Sequence, residues 1–155
     1  MDPIRFWVPG EPKALKRHRS TRSGHQYDPS KQDKADFLAK ALACYRPDVA
    51  IDDPLFVTML FVFGRPKCHY RTGRHADKLK DGSPLWHTDT PDLSNCVKLP
   101  EDALNGWYWE DDRRIIGTLA YKVYGMAPGV AVHIRSPNDG DYSHVVLGLD
   151  EIMGR

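Results

Sequence analysis

Residues 55–63 read Leu-Phe-Val-Thr-Met-Leu-Phe-Val-Phe and follow directly after Pro54. The run contains one polar side chain, Thr58, and is rich in β-branched and aromatic residues. Apolar runs of this length that begin after a turn-forming residue are typical of strands with both faces covered. This stretch therefore predicts the central strand of a sheet.

The segment before this strand predicts a first strand and then a helix. Residues 4–8 are mostly apolar and end at Pro9-Gly10, which is typical of a short strand that ends in a turn. Ser30, with Asp33 three residues later, indicates a variant of the capping box, and Pro47 is expected to end the helix. Its apolar residues repeat at helical spacing and are expected to face the core: Ala35, Leu38, Ala39, Leu42 and Tyr45.

The segment after the central strand predicts a second helix and two further strands. A helix over residues 92–104, with Asp92 as its N-cap, collects its apolar side chains within one arc of about 160°. Pro100 lies inside this helix and predicts a kink, or a short second helix that begins there. Residues 114–124 and 130–135 are expected to form two strands joined as a hairpin.

These elements predict a single α+β domain over residues 1–136, with a mixed β-sheet and two packed helices in the order β-α-β-α-β-β. The chain has 155 residues, of which 41% are hydrophobic and 28% charged, so it is globular rather than disordered. Residues 137–155 form a largely polar tail to which the sequence assigns no role.

The net charge of +1 hides two basic segments. Residues 13–25, the N-terminal basic arm, contain no acidic residue, and residues 65–80, the second basic arm, contain only Asp77. Positive segments beside an acidic cluster favour a phosphodiester substrate, although each cation alone could be an ordinary solvated side chain. The candidates for nucleic-acid binding are Lys13, Lys16, Arg17, Arg19, Arg22, Lys67, Arg71 and Arg74.

The sequence also indicates a compartment. The three cysteines form no Cys-x-x-Cys pair, so neither a disulfide framework nor a zinc ribbon is indicated. No apolar run is long enough to span a membrane, and the first residues do not resemble a signal peptide. We therefore expect a cytoplasmic protein with no membrane partner.

Acidic side chains are concentrated in residues 91–112. They are Asp92, Glu101, Asp102, Glu110, Asp111 and Asp112. Crowded carboxylates repel one another, and a hard divalent cation such as Mg²⁺ or Mn²⁺ would offset that repulsion. A solvated acidic surface is the alternative, and composition alone leaves both interpretations open.

The helical arrangement favours the metal site. The polar arc of the helix carries Ser94, Asn95, Lys98, Glu101 and Asp102. Because the chain must reverse near Gly106, Asp111 or Asp112 can return towards Asp92. Two carboxylates from separate segments are the usual construction of a Mg²⁺ site for phosphoryl transfer, and a nearby lysine can neutralise charge on the phosphate.

These residues resemble the RusA family of Holliday-junction resolvases. The similarity covers most of residues 4–135 and includes Val8-Pro9-Gly10 and His87-Thr88. Its central motif is long and specific: Pro91-Asp92-Leu93-Ser94-Asn95, Lys98, Asp102-Ala103-Leu104-Asn105-Gly106, Trp109 and Asp111-Asp112.

The resemblance implies a homodimeric, Mg²⁺-dependent endodeoxyribonuclease that nicks four-way DNA junctions in symmetric pairs during recombination and repair, with Mn²⁺ as a possible substitute. Carried over by position, the metal-binding and catalytic aspartates are Asp92 and Asp112, and the catalytic lysine is Lys98. Asp111 is a further candidate metal ligand. The positions that support the site hold Ser94, Asn95 and Asp102.

The chain departs from the family pattern at two positions. Ser94 stands where the family has its second aspartate, and Arg114 stands where it has glutamine. Serine is a weaker ligand, so the alternatives are a protein that binds junctions or other branched DNA with weakened catalysis, or a nuclease for other branched nucleic acids. The candidates for the missing carboxylate are Glu101, Asp102, Asp111 and Asp89.

Overall fold

A computed structural model describes residues 1–16, 19–20, 26–138 and 140–141, with the backbone alone at residues 19, 20 and 26. The strands are β1 (Ile4–Pro9), β2 (Arg19–Ser20), β3 (Gln26–Tyr27), β4 (Leu55–Gly64), β5 (Ile115–Gly125) and β6 (Gly129–Arg135). The helices are α1 (Lys31–Cys44) and α2 (Leu93–Leu104), with short 3₁₀ turns at Lys67–His69, Gly73–His75 and Asp112–Arg114.

The main sheet is mixed, with the strand order β1-β6-β4-β5. β4 is parallel to β5 and antiparallel to β6, and β6 is antiparallel to β1. The prediction of a central strand at residues 55–63 is confirmed, as is the α+β class with two helices. The two-residue strand β2, in the N-terminal basic arm, pairs with β3, which follows the arm directly, and neither strand was predicted.

The predicted hairpin between β5 and β6 is wrong. These strands are consecutive in the chain but lie on either side of β4, so the link between Gly125 and Gly129 passes over the end of β4. The reason lies in β4, whose long apolar run is stabilised by hydrogen-bonded neighbours on both edges. Turn-forming residues indicate where the chain reverses but not which strand it then pairs with.

The core lies between one face of the sheet and both helices. Alternate residues of β1, β4 and β6 are buried, and a small cavity between the layers is lined by Phe37 of α1, Leu99 of α2 and Phe61 of β4. The other face of the sheet leaves Trp7, Leu119 and Tyr121 exposed by 37%, 52% and 44%. None of the helices in the described part of the chain combines the length and apolar character that a membrane crossing needs.

Helix α1 differs from its prediction in two respects. Its buried residues are Phe37 and Ala41, whereas Ala35 and Ala39 are exposed, because the face that meets the sheet is rotated relative to the predicted one. Ser30 is the N-cap by position, but its side chain makes no capping hydrogen bond. Its hydroxyl instead accepts a hydrogen bond from the amide of Lys16, at 2.8 Å, so the capping-box prediction is wrong.

Helix α2 runs from Leu93 to Leu104 and continues through Pro100, which is buried, so Pro100 does not begin a second helix. Packing against the core offsets the backbone hydrogen bond that proline cannot donate. Gly106 follows with a φ of +76°, a conformation that glycine adopts without steric cost. Of the next three aromatic residues, Tyr108 and Trp109 are fully buried and Trp107 is exposed.

Candidate active site and nucleic-acid interface

Asp92 is an exposed carboxylate at the start of α2. Its main-chain oxygen accepts hydrogen bonds from the amides of Asn95 and Cys96, each at 3.1 Å, which fixes the residue at the N-cap position. Its side chain makes no capping hydrogen bond, unlike most aspartates at this position. The backbone of Asp92 is thus held in place, while its carboxylate oxygens remain available to a ligand.

One groove beside Asp92, the arm groove, separates α2 from the N-terminal basic arm and has a volume of about 570 Å³. The arm is attached to the helix by a hydrogen bond from the amide of Leu15 to the carbonyl of Asn95, at 2.8 Å. The groove is lined by Lys13, Ala14, Leu15, Lys16, Asp33, Thr90, Pro91, Asp92 and Asn95.

Asp33 of α1 holds both lysines of this groove. The Nζ atoms of Lys13 and Lys16 lie 2.5 and 3.1 Å from its two carboxylate oxygens. The hydrogen bond from Lys13 is the main reason that the pKa of Asp33 is lowered, and the same contact raises the pKa of Lys13. The two ammonium groups therefore lie beside Asp33 on the wall of the groove that leads to Asp92, and both lysine side chains are largely exposed.

A second groove, the edge groove, lies between α2 and β5 and has a volume of about 500 Å³. Ser94, Lys98 and Glu101 of α2 line it together with Thr118 and Leu119 of β5. The residues predicted to share one polar face are therefore divided between two flanks of α2. Asn95 borders the arm groove, and Asp102 lies 3.6 Å from Lys34 of α1.

Asp92 and Asp112 lie towards opposite ends of α2. Helix α2 begins beside Lys122, near the end of β5, and reaches Glu101 beside Thr118. Asp112 comes just before β5, and its charge acts on Glu101. Because Glu101 is nine residues after Asp92, the rise along the helix between them is about 13 Å. Within the described residues, no group of three or more His, Cys, Asp or Glu side chains could hold a metal ion.

The candidates for the missing carboxylate are all engaged with other groups of the protein. The carboxylate of Asp89 accepts a hydrogen bond from Tyr124 at 2.7 Å, and that of Glu101 accepts one from Thr118 at 3.2 Å. Asp111 accepts a hydrogen bond from the amide of Arg113 at 3.0 Å. Asp89 is the one that shares the loop of Asp92, three residues before it.

A family model described as endodeoxyribonuclease RusA matches residues 9–135. The chain belongs to the RusA family. It is also 34% identical, over 139 residues, to the "Uncharacterized protein YqaN" of Bacillus subtilis (strain 168), with 87% of this chain and 97% of that protein covered. The resemblance based on residues 91–112 is therefore confirmed, and membership supports DNA cleavage as the activity of this chain.

Among the described side chains, the remaining basic candidates of this RusA-family chain, Lys67, Arg71 and Arg74, are not part of the arm groove. Lys67 is exposed in a 3₁₀ turn, and Arg74 is exposed beside His75. Arg71 forms an ion pair with Asp81, at 2.9 Å. In the N-terminal basic arm, Arg19 lies in β2, whereas Arg17 and Arg22 fall outside the described residues.

His87 and Lys122 contact each other at the loop that leads to Asp92, and neither was predicted as a site residue. His87 is buried and stacks on Phe63, with ring centres 3.9 Å apart. Burial, and then the charge of Lys122, lower the pKa of His87, which favours its neutral form. In the sequence, Lys122 is simply one polar residue within a predicted strand. Its hydrogen-bond partners are the main-chain carbonyls of Asp89 and Pro91, which no side-chain motif indicates.

Proposed function

We propose that this RusA-family protein is a Mg²⁺-dependent endodeoxyribonuclease that nicks four-way DNA junctions as a homodimer during recombination and repair in the cytoplasm. The observation that carries the proposal is Asp92, an exposed carboxylate with no capping bond that borders a groove walled by Lys13 and Lys16. A metal-binding carboxylate next to exposed ammonium groups suits a phosphodiester, since the ammonium groups can bind the flanking phosphates.

Carboxylate ligands suit Mg²⁺, but a single chain does not bring enough of them together at Asp92. Carboxylate oxygens are the ligands that Mg²⁺ prefers, and Mn²⁺ accepts the same set. Bound at Asp92, the ion would polarise the scissile phosphate and lower the pKa of an attacking water. Asp112 is the second proposed ligand, with Asp111 beside it, yet within one chain Asp112 lies near Glu101. A second copy of the chain is therefore part of the proposal.

The outer edge of β5 is the surface on which a second copy fits best. β5 is the last strand of the sheet and its final residues pair with residues 85–87, and within the described part of the chain nothing pairs with its outer edge before Lys122. Its side chains there include Ile116 and Leu119, exposed by 55% and 52%. An open apolar edge favours pairing with another strand.

Antiparallel pairing of the two β5 strands would bring the missing ligand to Asp92. Because residues 122–124 already pair with residues 85–87, the paired stretch would cover residues 115–121, and the start of one β5 would lie beside Tyr121 of the other. The partner's Asp112, three residues before its β5, would then lie towards the Asp92 loop on the side of the edge groove. Lys98 lines that groove. Its ammonium group stabilises the charge that develops on the scissile phosphate. Two such sites, related by a two-fold axis, suit paired nicks in a symmetric junction.

The direct test is nicking of a synthetic four-way junction labelled on each strand, with Mg²⁺ and with EDTA. Wild type is compared with Asp92→Asn and, as a matched control, with Asp48→Asn at an exposed aspartate outside both grooves. We expect paired nicks with Mg²⁺ alone, a loss of at least about 100-fold for Asp92→Asn, and unchanged binding and nicking for the control. Nicking in EDTA, or full activity of Asp92→Asn, would contradict the proposal.

Ser94 supports a second candidate, a protein that binds branched DNA with weakened catalysis. Ser94 is exposed in the edge groove, so an aspartate could be accommodated there. If wild type binds junctions without nicking them and Ser94→Asp introduces Mg²⁺-dependent nicking, this candidate replaces the first. Parallel substrates with flaps and three-way branches, in DNA and in RNA, distinguish a junction resolvase from a nuclease for other branches.

A further inference from the structure

The loop that leads into Asp92 is attached to the end of β5. The Nζ atom of Lys122 donates hydrogen bonds to the carbonyl oxygens of Asp89 and Pro91, at 2.7 and 2.6 Å. The hydroxyl of Tyr124 donates to the carboxylate of Asp89, at 2.7 Å. The amide of His87 donates to the carbonyl of Lys122, at 3.1 Å. Four hydrogen bonds thus join residues 87–91 to residues 122–124.

Lys122 is an unusual lysine. It is partly buried, and it pairs in register with Phe61 on the side of the sheet that the helices cover. Lysine side chains ordinarily extend into solvent, because removing an ammonium group from water is costly unless hydrogen bonds replace the lost hydration. Here two main-chain oxygens replace part of it, and both belong to the same short loop.

This arrangement fixes Asp92 from both sides. The carbonyl of Pro91, which Lys122 holds, belongs to the peptide group that joins Pro91 to Asp92. On the other side, the carbonyl of Asp92 accepts the amides of Asn95 and Cys96 at the first turn of α2. Lys122 and Asp92 are close enough that the charges of both act on the thiol of Cys96. The backbone of Asp92 is therefore held on both sides, whereas its carboxylate makes no capping hydrogen bond.

We propose that Lys122 is a positioning residue that preorganises Asp92 for metal binding, with Tyr124 as a second support through Asp89. The inference rests on the proposed function, in which Asp92 is a metal ligand. A ligand held in place before the metal arrives loses less conformational entropy on binding, so the intact loop raises metal affinity. Removal of groups that orient metal ligands typically lowers affinity about 10- to 100-fold.

The test compares Lys122→Met, Lys122→Arg and Tyr124→Phe with wild type and with Lys31→Met, a control at an exposed lysine of α1. Affinity for Mn²⁺ is measured on the intact protein without DNA by electron paramagnetic resonance, and amide hydrogen exchange is followed over residues 88–93. We expect Lys122→Met to weaken Mn²⁺ binding about 10-fold or more and to speed exchange in this loop. Lys122→Arg should retain much of the affinity, and Lys31→Met all of it.

A merely structural role for Lys122 gives a different result, namely a lower melting temperature with unchanged Mn²⁺ affinity per folded molecule. That outcome overturns the inference, as does unchanged loop exchange in Lys122→Met. If Lys122→Met fails to fold, Tyr124→Phe takes its place in the test, because it removes only the hydroxyl that supports the loop through Asp89. If wild type nicks no junction but binds Mn²⁺ through Asp92, and Lys122→Met weakens that binding, the proposed function fails while this inference stands. If Asp92→Asn leaves Mn²⁺ binding unchanged, this inference fails.

Discussion

At the scale of single residues, Glu101 illustrates how the surroundings of α2 oppose ionised carboxylates. Burial raises its pKa most, and the charges of Asp112 and Asp102 raise it further, against the opposing hydrogen bond from Thr118 and charge of Lys98. Because the folded-state pKa lies above the unfolded value, this group stabilises the fold at low pH. That contribution is lost as the pH rises through the folded-state pKa, so ionised Glu101 opposes folding at neutral pH.

We therefore predict that Glu101→Gln stabilises the protein at pH 7, by up to about 0.5 kcal/mol, because the amide carries no charge and its oxygen can still accept from Thr118. The gain should disappear near pH 4, where the carboxyl group is already protonated. Thermal unfolding at both pH values measures the difference. Glu110→Gln, at an exposed site, is the control and should change little at either pH. A loss of stability in Glu101→Gln at pH 7 would show that the ionised form stabilises the fold.

Some properties of the site residues follow from the local sequence, and others depend on how the chain packs. Asp92 was predicted as the N-cap of α2 because local helix signals depend only on neighbouring residues. The position of Asp112 depends on the direction of α2 relative to β5, which is a long-range property that the acidic motif does not specify. Ser94 was identified as a departure from the family pattern, but its location in the edge groove required the packed structure.

At the scale of secondary-structure elements, the start of α1 organises the N-terminal basic arm. Ser30 is fully buried and accepts the amide of Lys16, and Asp33 accepts the side chains of Lys13 and Lys16. Ser30 and Asp33, which resemble a capping box in the sequence, therefore accept hydrogen bonds from the N-terminal basic arm rather than from the first turn of α1. Local sequence patterns predicted the start of the helix correctly, but they did not predict which partners the polar side chains of its first turn bind.

We predict that Ser30→Ala loosens the arm while leaving α1 in place. The amide of Lys16 would lose its acceptor, at a cost of about 1 kcal/mol, whereas the helix loses no capping bond. Amide exchange should accelerate at residues 14–16 more than in the first turn of α1. Gln32→Ala, whose side chain bonds only within the helix to Asp36, is the matched control. Faster exchange confined to the start of α1 would instead indicate that Ser30 caps the helix.

For the strands too, the local sequence predicted where a strand forms but not which strand it pairs with. β4 was predictable because a long run of β-branched and aromatic residues indicates a strand whatever its neighbours are, although only alternate residues of β4 are buried and its other face is half-exposed. The pairing of β5 was not, since a turn after Gly125 is compatible with a hairpin and with a link that passes over β4. In α1, alanines at positions 35 and 39 fitted the helical spacing, but Phe37 has more apolar surface to bury and sets the buried face.

At the level of quaternary structure, the proposed dimer accounts for the outer edge of β5, which no strand within the described residues covers before Lys122. We predict that Leu119→Lys converts the dimer to a monomer, because an ammonium group at the centre of the paired edges would be desolvated without a partner. Sedimentation velocity measures the change in mass, and circular dichroism checks that the fold is retained. Val49→Lys, at an exposed apolar residue far from β5 in sequence, is the control and should remain dimeric. A dimer that tolerates Leu119→Lys would place the interface elsewhere.

In the proposed dimer, Asp92 of one chain and Asp112 of its partner form one metal site for junction cleavage. Subunit mixing tests this shared site: Asp92→Asn chains are combined with Asp112→Asn chains under conditions that exchange subunits. Each variant alone has two damaged sites and should be inactive. A mixed dimer has one site with both substitutions and one fully intact site, so the mixture should regain Mg²⁺-dependent nicking of one junction strand at a time. A mixture as inactive as its components, with mixed dimers shown to form, would contradict the shared site.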